Sequence, residues 1–199
     1  SAVEALNRAE RAARRAMALN ERLAEAHTAL AQALDQRGRL QEAGEEYRRA
    51  IAMDPRYPTA RQWYAGHLTK TGEMNEALEQ VLAAERLDPL SLVIGVEVGE
   101  FLDIVGRRKD AGVQYERVLQ RYPDTYLTHL YVGLHLLIEG DFDRASGLLG
   151  GLAIDLGADS TAAGRLSIGI RDASTRHATL RALADTTPQR RVLAGAPGR

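Results

Sequence analysis

The chain has 199 residues, 45% hydrophobic and 27% charged, with a net charge of −1, a composition that builds a sizeable core and excludes disorder as the default. It contains no Cys, which excludes disulfides, thiolate nucleophiles and sulfur-ligated zinc, and which is compatible with a cytoplasmic, reducing location. With 5% aromatic residues and one Trp, the core has to be built from Ala, Leu, Val and Ile, which suits closely packed helices.

In chain order, residues 1–23 predict one helix, with Val3, Leu6, Ala9, Ala13, Ala16 and Met17 recurring every three or four residues. From residue 24 onward one unit of about 34 residues recurs. Gly38, Gly72, Gly106 and Gly140 mark it, as do Ala43, Ala77, Ala111 and Ala145, and then Pro55, Pro89 and Pro123. Three independent markers with one spacing define repeats at 24–57, 58–91, 92–125 and 126–159, each predicted as two helices. Pro58, Ser91, Asp124 and Asp159 stand where the first helices should begin, as first-turn Pro or N-cap residues. The four glycines stand where those helices should end, because Gly accepts the left-handed conformation of a helix terminus. In 160–185 the period is faint: Leu166, Ile170 and Leu183 keep phase, but Ser174 and Thr179 replace the expected Gly and Ala, as in a degenerate capping repeat. The segment 186–199 has no apolar periodicity and is expected to be a flexible tail.

Laid on this period, the first repeat reads His27, Leu30, Ala31, Leu34, Ala43, Tyr47, Ala50, Pro55, and the second Arg61, Tyr64, Ala65, Leu68, Ala77, Val81, Ala84, Pro89. The third reads Gly95, Val98, Gly99, Leu102, Ala111, Tyr115, Val118, Pro123, and the fourth His129, Val132, Gly133, Leu136, Ala145, Leu149, Leu152, Gly157. This pattern resembles the tetratricopeptide repeat over four repeats, 24–159. The resemblance implies an all-α fold, a right-handed α-solenoid of helix-turn-helix repeats. It also implies a function of binding protein or peptide in a concave groove. The chain departs from the family at its wide first position, where His27, Arg61, Gly95 and His129 replace Trp, so looser packing within each repeat is expected there.

By register, Ala9 and Ala16 fall on the small positions of a second helix, so the chain starts inside a repeat. A natural helical cap and a piece of a longer array both fit this, and the second is preferred. The phrase LDPLSL at 87–92 is similar to one in repeat arrays attached to bacterial signalling proteins. An alternative function is therefore a regulatory or self-association domain of a larger bacterial signalling or transcription-regulatory protein, with a homo-oligomer possible.

The groove expected to take the partner is lined by Thr28, Gln32, Gln62, Trp63, Lys70, Val93, Val96, Glu100, Leu127, Leu130, Tyr131 and Leu134. Its fourth-repeat helix, YLTHLYVGLHLLI, is apolar nearly all round, so partial cover by 160–185 is expected there. One subfamily grips a C-terminal carboxylate with Lys, Asn and Arg on three successive first helices. Thr28, Gln32, Trp63, Val93 and Glu97 occupy those places here, or Gln62, Gly66, Glu97, Leu127 and Tyr131 in the next register, so no such clamp is expected.

No enzyme is expected, since there is no nucleophile elbow, phosphate loop or dinucleotide fingerprint. No metal or cofactor is expected either. His27, His67, His129, His135 and His177 form no i, i+4 ligand pair, and Asp141 and Asp143 lack the later Glu of a calcium loop. Of the 26 basic residues 24 are Arg, but they form no stripe, so no nucleic-acid partner is expected. The longest apolar stretch, 130–138, is far short of the roughly 20 residues that span a bilayer.

Overall fold

The computed structural model describes residues 2–179; Leu183 and the segment 186–199 lie outside the described residues. The described residues contain no strand; besides a helical stretch at 176–179 they hold ten helices with defined bounds. They are α1 (Ala2–Leu19), α2 (Ala24–Gln36), α3 (Leu40–Met53), α4 (Pro58–Thr71), α5 (Met74–Leu87), α6 (Leu92–Ile104), α7 (Arg108–Arg121), α8 (Tyr126–Glu139), α9 (Phe142–Asp155) and α10 (Ser160–Arg171). The chain divides into unit 1, residues 1–114, and unit 2, residues 115–199.

Local chemistry sets the helix ends. Gly72 and Gly140 end α4 and α8 with φ of 88° and 82°, a left-handed conformation in which an L side chain would be strained. Gly157, which stands where the closing Pro of the fourth repeat was expected, takes φ of 88° after α9. At the starts, Pro58 opens α4, and the side chains of Ser91 and Asp159 accept from the backbone N–H groups of Ile94 and Ala162. Asp124 does not cap α8. The helix begins at Tyr126, so the adjacent Thr125 accepts from the Thr128 N–H and Asp124 lies one residue too early.

In unit 1, α2 packs on α3 and α4 on α5 as hairpins, α1 packs on α2, and α2 touches α4 directly. Ala31, Ala43, Ala50, Ala65, Ala77 and Ala84 are wholly buried, so the helix backbones come together without large side chains between them. Large groups fill the spaces that remain: Tyr47, Tyr64 and His67 form one aromatic cluster with ring centroids 5.6–6.0 Å apart. The N-terminal helix is the exception to the alanine pattern, since Ala13 is its buried alanine while Ala9 is exposed.

In unit 2, α9 packs on both α8 and α10. Leu130, Leu149, Leu152 and Ile170 form the core, with Tyr126, Tyr131, Leu134, Leu137, Phe142 and Leu166 packed against it. The apolar character of α8 is thus largely used inside the unit, and Ile170 of α10 supplies part of the cover.

The wide position is not a gap. His27 Nδ1 lies 2.6 Å from Glu46 Oε2, Arg61 donates to Gln80 Oε1 at 2.8 Å, and the Gln114 amide donates to the Gly95 carbonyl at 3.2 Å. Each pair joins the first helix of a hairpin to its second across 19 residues. On the other side, His27 donates to the Glu21 carbonyl, Arg61 to Pro55 and His129 to Pro123, each six residues upstream. The expected loosening is therefore corrected: polar side chains replace the indole with hydrogen bonds, and His27 and Glu46 are buried.

Two glycines of unit 2 separate close packing from open surface. A Cβ at Gly133 would lie 2.8 Å from the fully buried Leu149 side chain, whereas one at Gly147 on α9 would meet nothing within 4 Å. In chemical denaturation, Gly133→Ala is expected to lose about 1–3 kcal/mol through overpacking. Gly147→Ala is expected to gain about 0.5–1 kcal/mol by removing helix-interior backbone freedom.

Candidate binding face

On a helix, residues spaced i, i+4, i+7 and i+11 fall along one stripe. Applied to the first helices of the hairpins, this spacing selects Glu25, Ala29, Gln32 and Gln36 on α2; Thr59, Trp63, Gly66 and Lys70 on α4; and Val93, Glu97, Glu100 and Ile104 on α6. Every one of them is exposed or half-buried. Trp63 and Val93 stand out as large apolar groups in this setting, 38% and 42% exposed. The equivalent stripe in unit 2 is Leu127, Tyr131, Leu134 and Ile138 on α8, followed on α10 by Thr161, Arg165 and Ile168.

Four residues expected to line a groove sit one step round the helix, at Thr28, Gln62, Val96 and Leu130. Thr28, Val96 and Leu130 are almost fully buried and offer a partner no surface, which corrects the expectation for these three. Thr28 turns its hydroxyl back onto the Ala24 carbonyl, and Leu130 belongs to the core of unit 2. Gln62 is half-buried and reaches the next first helix. The other expected residues, Gln32, Trp63, Lys70, Val93 and Glu100 in unit 1 and Leu127, Tyr131 and Leu134 in unit 2, retain exposed surface.

In unit 1 polar side chains lace successive first helices together. Asp35, on α2 and buried, accepts from His67 Nδ1 at 2.9 Å and from the Lys70 ammonium, both on α4. Gln62 of α4 donates to Glu97 Oε1 of α6 at 3.2 Å. Gln32 accepts from the Tyr47 hydroxyl at 2.8 Å, and burial, followed by the charge of Asp35, raises the Tyr47 pKa. Asp35 and His67 were not among the expected site residues. The signal was present in the sequence, since Asp35 with Lys70 and Gln62 with Glu97 are each 35 apart, one period plus one residue.

The carboxyl groups of α6 are the least satisfied part of this face. Glu97 Oε2 is buried and accepts no hydrogen bond from the described residues. Burial pushes the Glu97 carboxyl up to about 7; the Gln62 amide opposes this, and the charge of Glu100 adds to it. Glu100 is raised as well, by burial and then by Asp103. Lys70, the cation of this stripe, is already engaged by Asp35.

Among the described residues no group of His, Cys, Asp and Glu could hold a metal ion, and no helix is long and apolar enough to cross a membrane.

Two tetratricopeptide-repeat family models match the sequence, one over residues 36–93 and the other over residues 1–58. No curated protein sequence matches the chain significantly. Among solved structures, pilF of Pseudomonas aeruginosa superposes with a TM-score of 0.71 at 23% identity, covering 94% of this chain and 86% of its own. TTC0263, a thermophilic tetratricopeptide-repeat protein of Thermus thermophilus, gives 0.66 at 19% identity, covering 85% and 92%. YrrB, a repeat protein with an unusual peptide-binding site, gives 0.62 at 18% identity, covering 89% and 93%. At such identities the likeness is one of fold, an α-solenoid of helix-hairpin repeats.

The raised Glu97 carboxyl has a consequence for stability. Its folded value of about 7 exceeds its ordinary 4.5, so the fold holds a proton that the unfolded chain releases, and stability falls as pH rises from about 4.5 through 7. Glu97→Gln keeps the shape and removes the ionisation. In denaturant titrations it is expected to match the parent at pH 4 and to exceed it by roughly 2–3 kcal/mol at pH 8.

Proposed function

Because this chain belongs to the tetratricopeptide-repeat family, we propose that it is a protein-interaction scaffold whose unit 1 takes a peptide, a helix or a partner domain on the open stripe of α2, α4 and α6. The observation that carries this reading is Trp63. A large aromatic ring left 38% exposed in a chain with one Trp, with the 42% exposed Val93 on the stripe of the next first helix, has the character of an interface anchor. YrrB, which shares the fold, supplies the precedent of a repeat protein that binds a peptide. The role proposed is binding rather than catalysis.

Unit 2 supports a second reading. Ile138 on α8 and Ile168 on α10 are 53% and 62% exposed at stripe positions, which favours a self-associating domain of a larger signalling protein.

Panning the full chain with a random dodecapeptide display library tests the first reading. Binders are expected whose affinity falls at least tenfold in Trp63→Ala while the unfolding free energy changes by about 1 kcal/mol or less. An absence of binders, or binders indifferent to Trp63, would refute it. Sedimentation equilibrium tests the second. A concentration-dependent dimer that Ile168→Asp abolishes supports it, and a monomer at all concentrations removes it.

A further inference from the structure

We infer that the open stripe of unit 1 selects a cationic segment, a peptide carrying Arg or Lys flanked by apolar residues, and that the side chain it reads is seated between α4 and α6. This deepens the binding reading above and rests on it.

Three features converge on this chemistry. First, the α6 stripe runs Val93, Glu97, Glu100, Ile104, with apolar ends and two carboxyl groups between them. Val93 and Ile104 are both substantially exposed. Second, the carboxyl groups are incompletely served: Gln62 supplies one donor to Glu97 Oε1, while Glu97 Oε2 accepts none from the described residues. Oε2 itself is enclosed, so an incoming guanidinium or ammonium meets the half-buried remainder of Glu97 and Glu100, to which it brings positive charge and several donors, and a charge-assisted bond is stronger than a neutral one. The stripe's own cation cannot serve, because Lys70 is drawn to Asp35 on the opposite neighbour.

Third, α4 leaves room for the stem. At the stripe position where α6 has Glu100, α4 has Gly66, and a Cβ built there would meet nothing within 4 Å. Gly66 lies between Trp63 and Lys70, so an incoming aliphatic stem finds a notch with an exposed indole on one side. Long basic side chains bury their stems on such surfaces while their charged heads reach polar partners, and an aromatic face attracts a cation within about 6 Å. An anionic peptide would meet the reverse: its carboxylates would face Glu97 and Glu100, which offer no positive charge, and no uncommitted cation of the stripe receives it. The complementarity therefore fixes the sign of the partner as well as its apolar flanks.

The test uses the full chain and synthetic versions of the dodecapeptides selected by panning. The expected result is enrichment for Arg or Lys next to aliphatic or aromatic residues. Replacing the enriched Arg by neutral citrulline should then weaken binding roughly 10- to 100-fold, as for loss of a charge-assisted hydrogen bond. In the doubly substituted chain, Glu97→Gln with Glu100→Gln, the same replacement should cost almost nothing, which isolates the pairwise coupling. Gly66→Leu should fill the notch and abolish binding while the chain stays folded, since a Cβ at this position meets nothing within 4 Å.

Selected peptides without a basic residue, or acidic ones, overturn this inference and leave the binding reading intact. A citrulline penalty that persists in the double variant overturns it too, as does full binding by Gly66→Leu. If panning yields no binder, the reading beneath it fails and this inference fails with it. A self-association of the unliganded chain that Trp63→Ala abolishes assigns the face to a second copy and overturns the cationic peptide.

Discussion

Close approach of helix backbones at small residues is the constraint on which the remaining structure depends. Ala31, Ala43 and Ala50 recur one period later as Ala65, Ala77 and Ala84, and all six are wholly buried in unit 1. With side chains this small, neighbouring helices sit near enough for dispersion contacts along their length, and a position one step round the helix changes from seam to surface. That is why Thr28 is enclosed while Ala29 is exposed, and why Val96 is enclosed while Glu97 keeps some exposed surface. Unit 2 has the same need with less tolerance, because Gly133 and Leu149 already touch without a Cβ.

Once the seam is so narrow, bulky groups have to be accommodated elsewhere, and this chain does it with polarity. Where the family pattern has an indole at the wide position, His27 and Arg61 bridge to the second helix of their own hairpin, and Gln114 returns the bond from the other side to Gly95. Hydrogen bonds are directional where apolar packing is not, so these bridges fix the angle at which the two helices meet. Asp35 plays the same part between hairpins by holding His67 and Lys70 together. The stripe inherits a rigid floor, and a rigid floor suits recognition because less side-chain freedom is lost on binding.

The two units present different chemistry on equivalent stripes. In unit 1 the stripe mixes an exposed Trp with carboxyl groups whose burial disfavours their charge. In unit 2 it is aliphatic, with Tyr131 and Leu134 half-committed to the core below. A repeat keeps its packing positions constant because the neighbouring repeat demands it, whereas its stripe varies more freely because the neighbouring helix at the seam constrains it less. Variation in the stripe is where any specificity has to reside.

The sequence by itself determined the all-helical fold, the 34-residue period, the glycine terminations and most of the helix starts. These follow from local conformational preference and from a spacing repeated often enough to be unambiguous. It also singled out Trp63, through its rarity and its register. Only the tertiary structure decided which residues of the first helices are seam and which are surface, because stripe and seam differ by one residue, about 100° of helical turn, and that is resolved by the neighbouring helix. It likewise decided that Thr125 and not Asp124 caps α8, that the wide position is bridged and not loose, and that the apolar α8 spends much of its surface on Leu149, Leu152 and Ile170. The unsatisfied carboxyl of Glu97 was invisible beforehand for the same reason. A glutamate's solvation depends on what lies above it, which is a property of the assembled helices and not of the residues around it in the chain.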